Sequence, residues 1–228
     1  MSENINNEQT LEPLSQSPKT RLRRSPKRAV FDRQALYNIF DEAMVAHVGF
    51  VQDEQSFVIP MLVWRWENRL FIHGSNGSRM IKALCGEQSI CITATLLDGM
   101  VMAKSAFHHS SNYRSAMVMG SCYVVEDKQE VEQALEVFME LIAPGRWPHL
   151  RPPTTSELAA TTVLAIDIEE ASVKIRSGGP IEDEGDLDWP VWTGELQLRQ
   201  KVTAAVEDQY SVGEMSDYSE AWGERWGL

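Results

Sequence analysis

The chain has 228 residues and a formal net charge of −12 at pH 7, and 43% of its residues are hydrophobic. This length suits one large domain, or one domain with tails, and the hydrophobic fraction is ordinary for a globular protein. The acidic balance argues against a nucleic-acid binder. The chain also has neither a long apolar run nor a basic-then-apolar leader, so we expect a cytoplasmic protein without a membrane partner.

The cysteines and histidines do not suggest a metal centre. Cys85, Cys91 and Cys122 show no C-x-x-C spacing, and no histidines stand beside them at the intervals typical of zinc ligands. We therefore expect reduced, buried thiols and no metal site.

Residues 1–27 are polar. They end in a basic patch that continues to Arg28 and consists of Lys19, Arg21, Arg23, Arg24, Lys27 and Arg28. A short patch without aromatic residues is more typical of a solvated or partner-contacting arm than of a nucleic-acid-binding arm. Residues 200–228 form an acidic and aromatic tail without clear periodicity. The folded domain is therefore predicted over 28–199.

This domain begins with a predicted helix. Asp32 is a typical N-cap, and apolar residues at helical spacing follow it: Ala35, Leu36, Ile39, Phe40, Ala43 and Met44. Further helices are predicted over 78–85, over 127–143 and from Thr155 or Ser156. Strands are predicted over 46–52, 57–66, 69–73, 89–97, 100–107, 113–125, 162–168, 171–177 and 191–199.

Two turn signals organise these strands. Asn68 marks a tight turn, and Asp98-Gly99 between apolar runs predicts a hairpin. Six strands in quick succession with peripheral helices predict a mainly β, α+β fold, built as a small closed or nearly closed antiparallel barrel.

The stretch LFIHGSNGSRMIKAL, residues 70–84, is a candidate anion site. Its glycines permit a sharp turn, and Ser78 is a natural N-cap for a helix with Arg79 in its first turn. The Ser75 and Ser78 hydroxyls and the Arg79 guanidinium suit a phosphate, and Lys82 lies on the same side. A capped helix with surface cations explains the same residues without a ligand.

The stretch SAFHHSSNYRSAMVMG, residues 105–120, places Arg114 on an otherwise small, apolar strand face. Burying an unpaired arginine is costly, so Arg114 needs a carboxylate or a bound anion. No acidic residue occurs between Asp98 and Glu126, and we therefore expect a cofactor to balance this charge. An internal salt bridge, or an arginine that reaches solvent, is the alternative.

Two later segments can likewise be interpreted either as ligand-binding or as purely structural. Ser172, Lys174 and Arg176 share one predicted strand face, either as ligand-binding groups or as solvated side chains. Trp189 and Trp192 either pack on an aromatic ring system or belong to the core.

These segments resemble the pyridoxamine 5′-phosphate oxidase-like superfamily of FMN-binding split barrels. More narrowly, they resemble its flavin-nucleotide-binding branch, which is related to the nitroimidazole-resistance proteins. The matching segments run in order over about 28–199: RAVFDR, FVIP, LFIHGSNGSRM, LLDGMV, FHHSSNYRSAMVMG, PGRW with RPP, SVKIRSGGP and PVWTG.

The resemblance implies a split β-barrel that forms a homodimer, with FMN in clefts at the subunit interface. The cofactor-binding residues that it implies are Ile59, Pro60, Met61, His73, Gly74, Ser75, Ser78, Arg79, Lys82, Asn112, Tyr113, Arg114, Ser115 and Trp192. Met80 stands where the family often has lysine, and Lys82 is a candidate substitute. His108 and His109 either donate to a substrate or to the flavin, or cap a hairpin.

The function implied is that of an FMN-dependent oxidoreductase that passes electrons from a reduced donor to a small acceptor. The segment TGELQLRQKV lacks the substrate-recognition pattern of true pyridoxamine 5′-phosphate oxidases, so that reaction is not expected. A non-catalytic flavin-binding protein for storage, sensing or regulation is the alternative, and a haem-handling member of the same superfamily is another.

Overall fold

The computed structural model describes residues 11–86, 88–212 and 219–226. The helices are α1 (Arg33–Ala43), α2 (Arg79–Leu84), α3 (Lys128–Ile142), α4 (Thr155–Ala160) and α5 (Ser219–Trp226). The strands are β1 (Ala29–Val30), β2 (Val45–Gln52), β3 (Gln55–Leu62), β4 (Trp64–Trp66), β5 (Arg69–Ser75), β6 (Ile90–Met102), β7 (Ser110–Gly120), β8 (Tyr123–Val124), β9 (Thr161–Asp167), β10 (Glu170–Arg176) and β11 (Gly194–Gln197).

The strands form two antiparallel sheets. The larger sheet has the order β1-β10-β7-β6-β2-β3, and β11 pairs with β6 beside this path. The smaller sheet has the order β4-β5-β9-β8. Neither sheet closes on itself, so the predicted mainly β fold, a split antiparallel barrel with peripheral helices, is confirmed.

The main core lies between the two sheets. Alternate residues of β2, β6, β7 and β10 point into it, where they meet α1, α2 and one face of β5 and β9. A second cluster lies on the opposite face of the smaller sheet, under α3, and includes Trp64, Phe71 and Ala134. Period-two burial along β6 and β7 follows from this arrangement, because one face of the larger sheet is buried and the other is not.

The hairpin predicted at Asp98-Gly99 is wrong. Both residues lie inside β6, where the pairing with β7 shifts register between Leu97 and Gly99. The chain reverses instead in the loop 103–109. A Cβ at Gly99 would lie 2.9 Å from the carbonyl oxygen of Leu196, so this glycine serves the close approach of β11 rather than a turn.

The helix predictions are confirmed within about one residue. Asp32, Ser78 and Asp127 each cap the helix that follows by accepting a backbone N–H bond. Two predicted strands are divided in the structure. The run 57–66 is split at buried Val63 because β3 and β4 belong to different sheets, and the run 113–125 is split into β7 and β8 for the same reason.

Both flanking segments contact the domain, and the predicted boundaries at residues 27 and 199 stay predictions. Leu14 is buried and its N–H donates to the carbonyl oxygen of Phe31. Helix α5, which the tail's pattern did not predict, lies against the end of α3, where Trp222 and Trp226 donate to the carbonyl oxygens of Pro144 and Ile142.

Two properties of the described residues concern the expectations about membrane helices and cysteines. None of the helices in the described ranges is long and apolar enough to cross a membrane. The three cysteines are free, but only Cys122 is buried, and Cys85 is exposed. Burial raises the pKa of the Cys122 thiol to about 12.

Candidate functional site

The turn after β5 gathers one group of candidate residues, which we call the turn site: His73, Gly74, Ser75, Ser78, Arg79 and Lys82, with Ile59–Met61 of β3. The Ser78 side chain accepts the N–H of Ile81 and begins α2. The Arg79 guanidinium lies 4.6 Å from the centre of the Phe57 ring, and this contact places the start of α2 beside β3. Arg79 and Lys82 are exposed. The turn site therefore presents two cations and two hydroxyls next to a strand edge.

The turn has a tightly packed backbone. The Ser75 hydroxyl oxygen accepts the N–H of Gly77, and the Asn76 side chain donates to Ala159 and accepts from Thr162. A Cβ at Gly74 would lie 2.8 Å from the Ile81 side chain. Glycine at this position thus permits α2 to pack directly on the end of β5.

Strand β3 supplies an open backbone edge to the turn site. It is the last strand of the larger sheet, so its outer N–H and C=O groups have no strand partner among the described residues. Ile59 and Met61 pack against the core, whereas Pro60 is exposed. Such an edge can hydrogen-bond the polar rim of a planar ligand.

The replacement of the family's lysine by Met80 has a structural explanation. Met80 is 8% exposed and belongs to the main core, so its side chain points away from the turn site. Lys82, one turn further and exposed, is the cation that α2 offers instead.

Arg114, in the first half of β7, was expected to pair with a bound cofactor, but it pairs with two carboxylates of the protein. Its guanidinium donates twice to Asp98, at 3.0 and 2.8 Å, and twice to Glu42, at 2.5 and 2.9 Å. The hydrogen bonds to Glu42 and then to Asp98 hold the pKa of Arg114 above its ordinary value. The expectation that a cofactor, and no protein carboxylate, balances this charge is therefore wrong.

The other residues at the start of β7 also bond within the protein. Asn112 is buried, accepts a hydrogen bond from Arg176 and donates to Glu195 at 2.5 Å. The Ser115 hydroxyl donates to the carbonyl oxygen of Lys174. Tyr113 is half-buried. We call Asn112, Tyr113, Arg114 and Ser115 the strand site. Three of these four residues thus join β7 to its sheet neighbours β6 and β10, to β11 and to α1.

The structure does not bring the turn site and the strand site together within one chain. Strands β3 and β7 are separated by β2 and β6, which is about 14 Å at about 4.8 Å per strand spacing. Trp192 lies in neither group: it is 65% exposed and its ring covers Gly194 at the start of β11.

The side chain of His73 does not join the other side chains of the turn site but lies in an aromatic cluster that the sequence did not predict. Its ring is 5.6 Å from that of Trp64 and 5.1 Å from that of Phe138, on the side of the smaller sheet that α3 covers. The nitrogens His73 Nδ1 and Trp64 Nε1 are buried without a hydrogen-bond partner. Burial lowers the pKa of His73, so its imidazole is neutral at pH 7.

The two histidines of the loop 103–109 differ in environment. His109 Nδ1 lies 2.9 Å from the carbonyl oxygen of Ser105, which fits the hairpin-capping alternative. His108 instead faces acidic residues of a later segment, Glu182 and Asp183, each at 3.7 Å. Residues this far apart in sequence gave no signal that they would meet.

The two open antiparallel sheets with their peripheral helices define a split-barrel protein. The sequence profile described as pyridoxamine 5′-phosphate oxidase matches residues 32–175, and the chain belongs to this family. The resemblance to the pyridoxamine 5′-phosphate oxidase-like superfamily is thus confirmed. No curated protein sequence matches the chain significantly.

Solved structures extend the comparison. The chain is similar to the flavocytochrome Anf3 from Azotobacter vinelandii, with 35% identity over 89% of this chain and 94% of that one, and a TM-score of 0.83. It is also similar to the FAD and haem binding protein from Mycobacterium smegmatis, with 30% identity over 82% and 92% and a TM-score of 0.78. A 5-nitroimidazole antibiotic resistance protein from Bacteroides thetaiotaomicron shares the fold at 22% identity, over 64% and 86%, with a TM-score of 0.55.

Proposed function

We propose that the protein binds a flavin and a haem and serves as an electron-transferring oxidoreductase. The observation that carries this proposal is the similarity, at 35% and 30% identity, to a flavocytochrome and to an FAD and haem binding protein over most of both chains. The sequence resemblance implied FMN, whereas the second of these relatives favours FAD. Haem and flavin would supply one- and two-electron redox chemistry, and the protein would hold and orient them.

His73 is the residue that fits haem iron. His73 would hold the haem iron through its imidazole, which burial keeps neutral at pH 7 and therefore able to bind a metal. Its half-buried ring stands among Trp64 and Phe138, which suit the flat face of a macrocycle. Buried polar atoms without a partner are uncommon, and a bound group beside this cluster would account for the two found here.

The turn site fits the flavin. Arg79 and Lys82 offer positive charge and Ser75 and Ser78 offer hydroxyl donors to a phosphate, while the open edge of β3 offers backbone groups to the ring system. The strand site keeps a part in this proposal through Tyr113, because the side chains of Asn112, Arg114 and Ser115 bond within the protein.

A homodimer would bring the two sites together. Two strands separate β3 of the turn site from β7 of the strand site within one chain, and a second subunit would bring the turn site of one chain next to the strand site of the other. The face of the larger sheet that points away from the core carries exposed apolar residues: Val45 (45%), Val51 (48%), Val58 (66%) and Leu62 (38%). An apolar sheet face of this kind is typical of a subunit interface.

The His73→Ala variant is expected to lose haem and keep flavin. Protein reconstituted with hemin should show a Soret band in the wild type and no stoichiometric Soret band in the variant, while flavin released on denaturation is unchanged. Chromatography of that flavin distinguishes FAD from FMN. His109→Ala is the matched control, because this histidine bonds only to Ser105 within its loop in the described structure.

The same experiment can contradict each part of the proposal. Wild-type protein without a Soret band would exclude haem and leave the flavin-binding alternative. Protein that releases no flavin would exclude the flavin, and a Soret band retained by His73→Ala would move the iron ligand elsewhere.

Val58→Lys is expected to shift the homodimer towards monomer at micromolar concentration, because it places a charge at the most exposed of the four residues of the apolar sheet face. Light scattering gives the mass directly, and a chain mass of 25.8 kDa distinguishes the two states clearly. Val206→Lys is the control, since Val206 is 91% exposed in the tail. A wild-type monomer with flavin fully bound would refute the dimeric site.

A further inference from the structure

Three acidic side chains surround His108 at a point where two segments meet. His108 belongs to the loop 103–109 between β6 and β7. Glu182 and Asp183 directly precede the 3₁₀ turn Glu184–Asp186, and Asp186 ends it. One ligand atom from each of His108, Asp183 and Asp186 lies within 4.8 Å of the other two. This cluster is separate from the turn site and from His73.

Glu182 provides a second and independent observation. Its side chain is only 9% exposed, and its Oε1 accepts the N–H of Lys104 at 2.9 Å. Its Oε2 and the Nδ1 of His108 are both buried, lack hydrogen-bond partners and face each other at 3.7 Å. A buried carboxylate is costly unless a cation or a donor balances it.

The two nitrogens of His108 therefore face different carboxylates. Nδ1 faces buried Glu182, and Nε2 lies 3.7 Å from Oδ2 of exposed Asp183. Histidines that bind metals commonly donate the other ring N–H to a carboxylate, which orients the ring. Glu182 lies on the Nδ1 side of the ring at 3.7 Å, beyond hydrogen-bond distance, and a small movement of the ring towards it would complete this pattern.

The spacing also suits an ion between the side chains. A separation of 3.7 Å is too long for a hydrogen bond between His108 Nε2 and Asp183. Two donors bound to one tetrahedral Zn²⁺ at about 2.1 Å each lie about 3.4 Å apart. One imidazole with carboxylates, and no thiolate, favours a first-row divalent ion such as Zn²⁺ over Mg²⁺ or Ca²⁺.

We propose that His108, Asp183 and Asp186 bind a divalent transition-metal ion, with Glu182 as the residue that positions the imidazole. The ion would join the loop 103–109 to the segment that leads to Trp189 and Trp192. Lys104 already joins the same two segments, since its Nζ donates to the carbonyl oxygen of Trp189 at 2.6 Å. The sequence did not predict this site because its ligands lie in two segments more than seventy residues apart, at no recognisable interval.

Calorimetric titration of the full-length protein with ZnCl₂, after dialysis against a chelator, tests the proposal. We expect one high-affinity Zn²⁺ per chain, and no comparable binding of Mg²⁺. His108→Ala and Asp183→Asn should each weaken Zn²⁺ binding at least tenfold, and Glu182→Gln should weaken it about tenfold, the usual effect of losing a partner behind a metal ligand.

Two control variants sharpen the result. His109→Ala removes the neighbouring imidazole, and Glu184→Gln removes an exposed acid from the same 3₁₀ turn. Both should bind Zn²⁺ as the wild type does. Absence of binding in the wild type, or equal affinity in His108→Ala and His109→Ala, would overturn the site. Unchanged affinity in Glu182→Gln would overturn the positioning role.

A thermal unfolding measurement tests whether the ion joins the two segments. Zn²⁺ should raise the thermal unfolding midpoint of the wild type, because an ion that binds only the folded state stabilises it. Zn²⁺ should leave the unfolding midpoint of His108→Ala unchanged. An equal rise in both proteins would mean that the ion binds elsewhere. The test does not depend on flavin or haem, so it stands apart from the proposed function.

Discussion

Replacing Arg114 by methionine is expected to lower the free energy of unfolding by about 2–3 kcal/mol. The guanidinium makes four charge-assisted hydrogen bonds to Asp98 and Glu42, and its side chain is 29% exposed. Breaking a fully buried ion pair costs about 3–5 kcal/mol, and partial exposure reduces that value here. The variant also leaves two carboxylates close together without a cation between them.

Urea unfolding of the wild type and the variant measures this effect, with flavin affinity measured on the same samples. Asp98→Asn and Glu42→Gln are the matched partners, and the double variant Arg114→Met with Asp98→Asn gives the coupling energy directly. An unchanged unfolding free energy together with a lost flavin affinity would restore the cofactor as the main counter-ion of Arg114.

The local elements could be predicted because their signals are local. Caps such as Asp32 and Ser78 and the period of the apolar residues placed the helices, and the quick succession of strands gave the fold class. The division of 57–66 between two sheets was not predictable in this way, because it depends on which strands pair and not on the pattern of the run itself.

The error at Asp98-Gly99 has the same origin. A two-residue hairpin and a bulge inside one long strand both favour a glycine beside a polar residue between apolar runs. Only the pairing decides between them. Here β7 pairs with both sides of the bulge and β11 lies over Gly99, and neither fact can be read from residues 89–107.

For the candidate site too, the features that are local in sequence could be predicted and those that depend on distant residues could not. The turn site is continuous in sequence and was found from its glycines, its serine cap and its cations. The partners that decide what Arg114 and Asn112 do are distant in sequence. Glu42 lies 72 residues before Arg114 and Glu195 lies 83 residues after Asn112. The aromatic cluster around His73 likewise joins β4, β5 and α3, which only the folded chain brings together.

Replacing Arg176 by methionine is expected to destabilise the protein by at least about 3 kcal/mol. Arg176 is 7% exposed, and its guanidinium donates to Asn112 and to the carbonyl oxygens of Gly178 and Gly179 at 2.9 and 3.1 Å. Methionine fills much of the same volume, so the loss is mainly that of charge-assisted hydrogen bonds, which contribute about 1.5–3 kcal/mol each. It also leaves the buried Asn112 oxygen without a donor.

The effect should extend to the segment after β10. Through Asn112, Arg176 holds Glu195 at the start of β11, and its bonds to the two glycine carbonyls fix the chain that leads towards Glu182. We therefore expect faster proteolysis of residues 178–197 in Arg176→Met, together with a lower urea midpoint. Lys174→Met, two residues earlier on the same strand, is the control and should change stability by less than about 0.5 kcal/mol. Equal behaviour of the two variants would mean that the segment is held by β11 pairing alone.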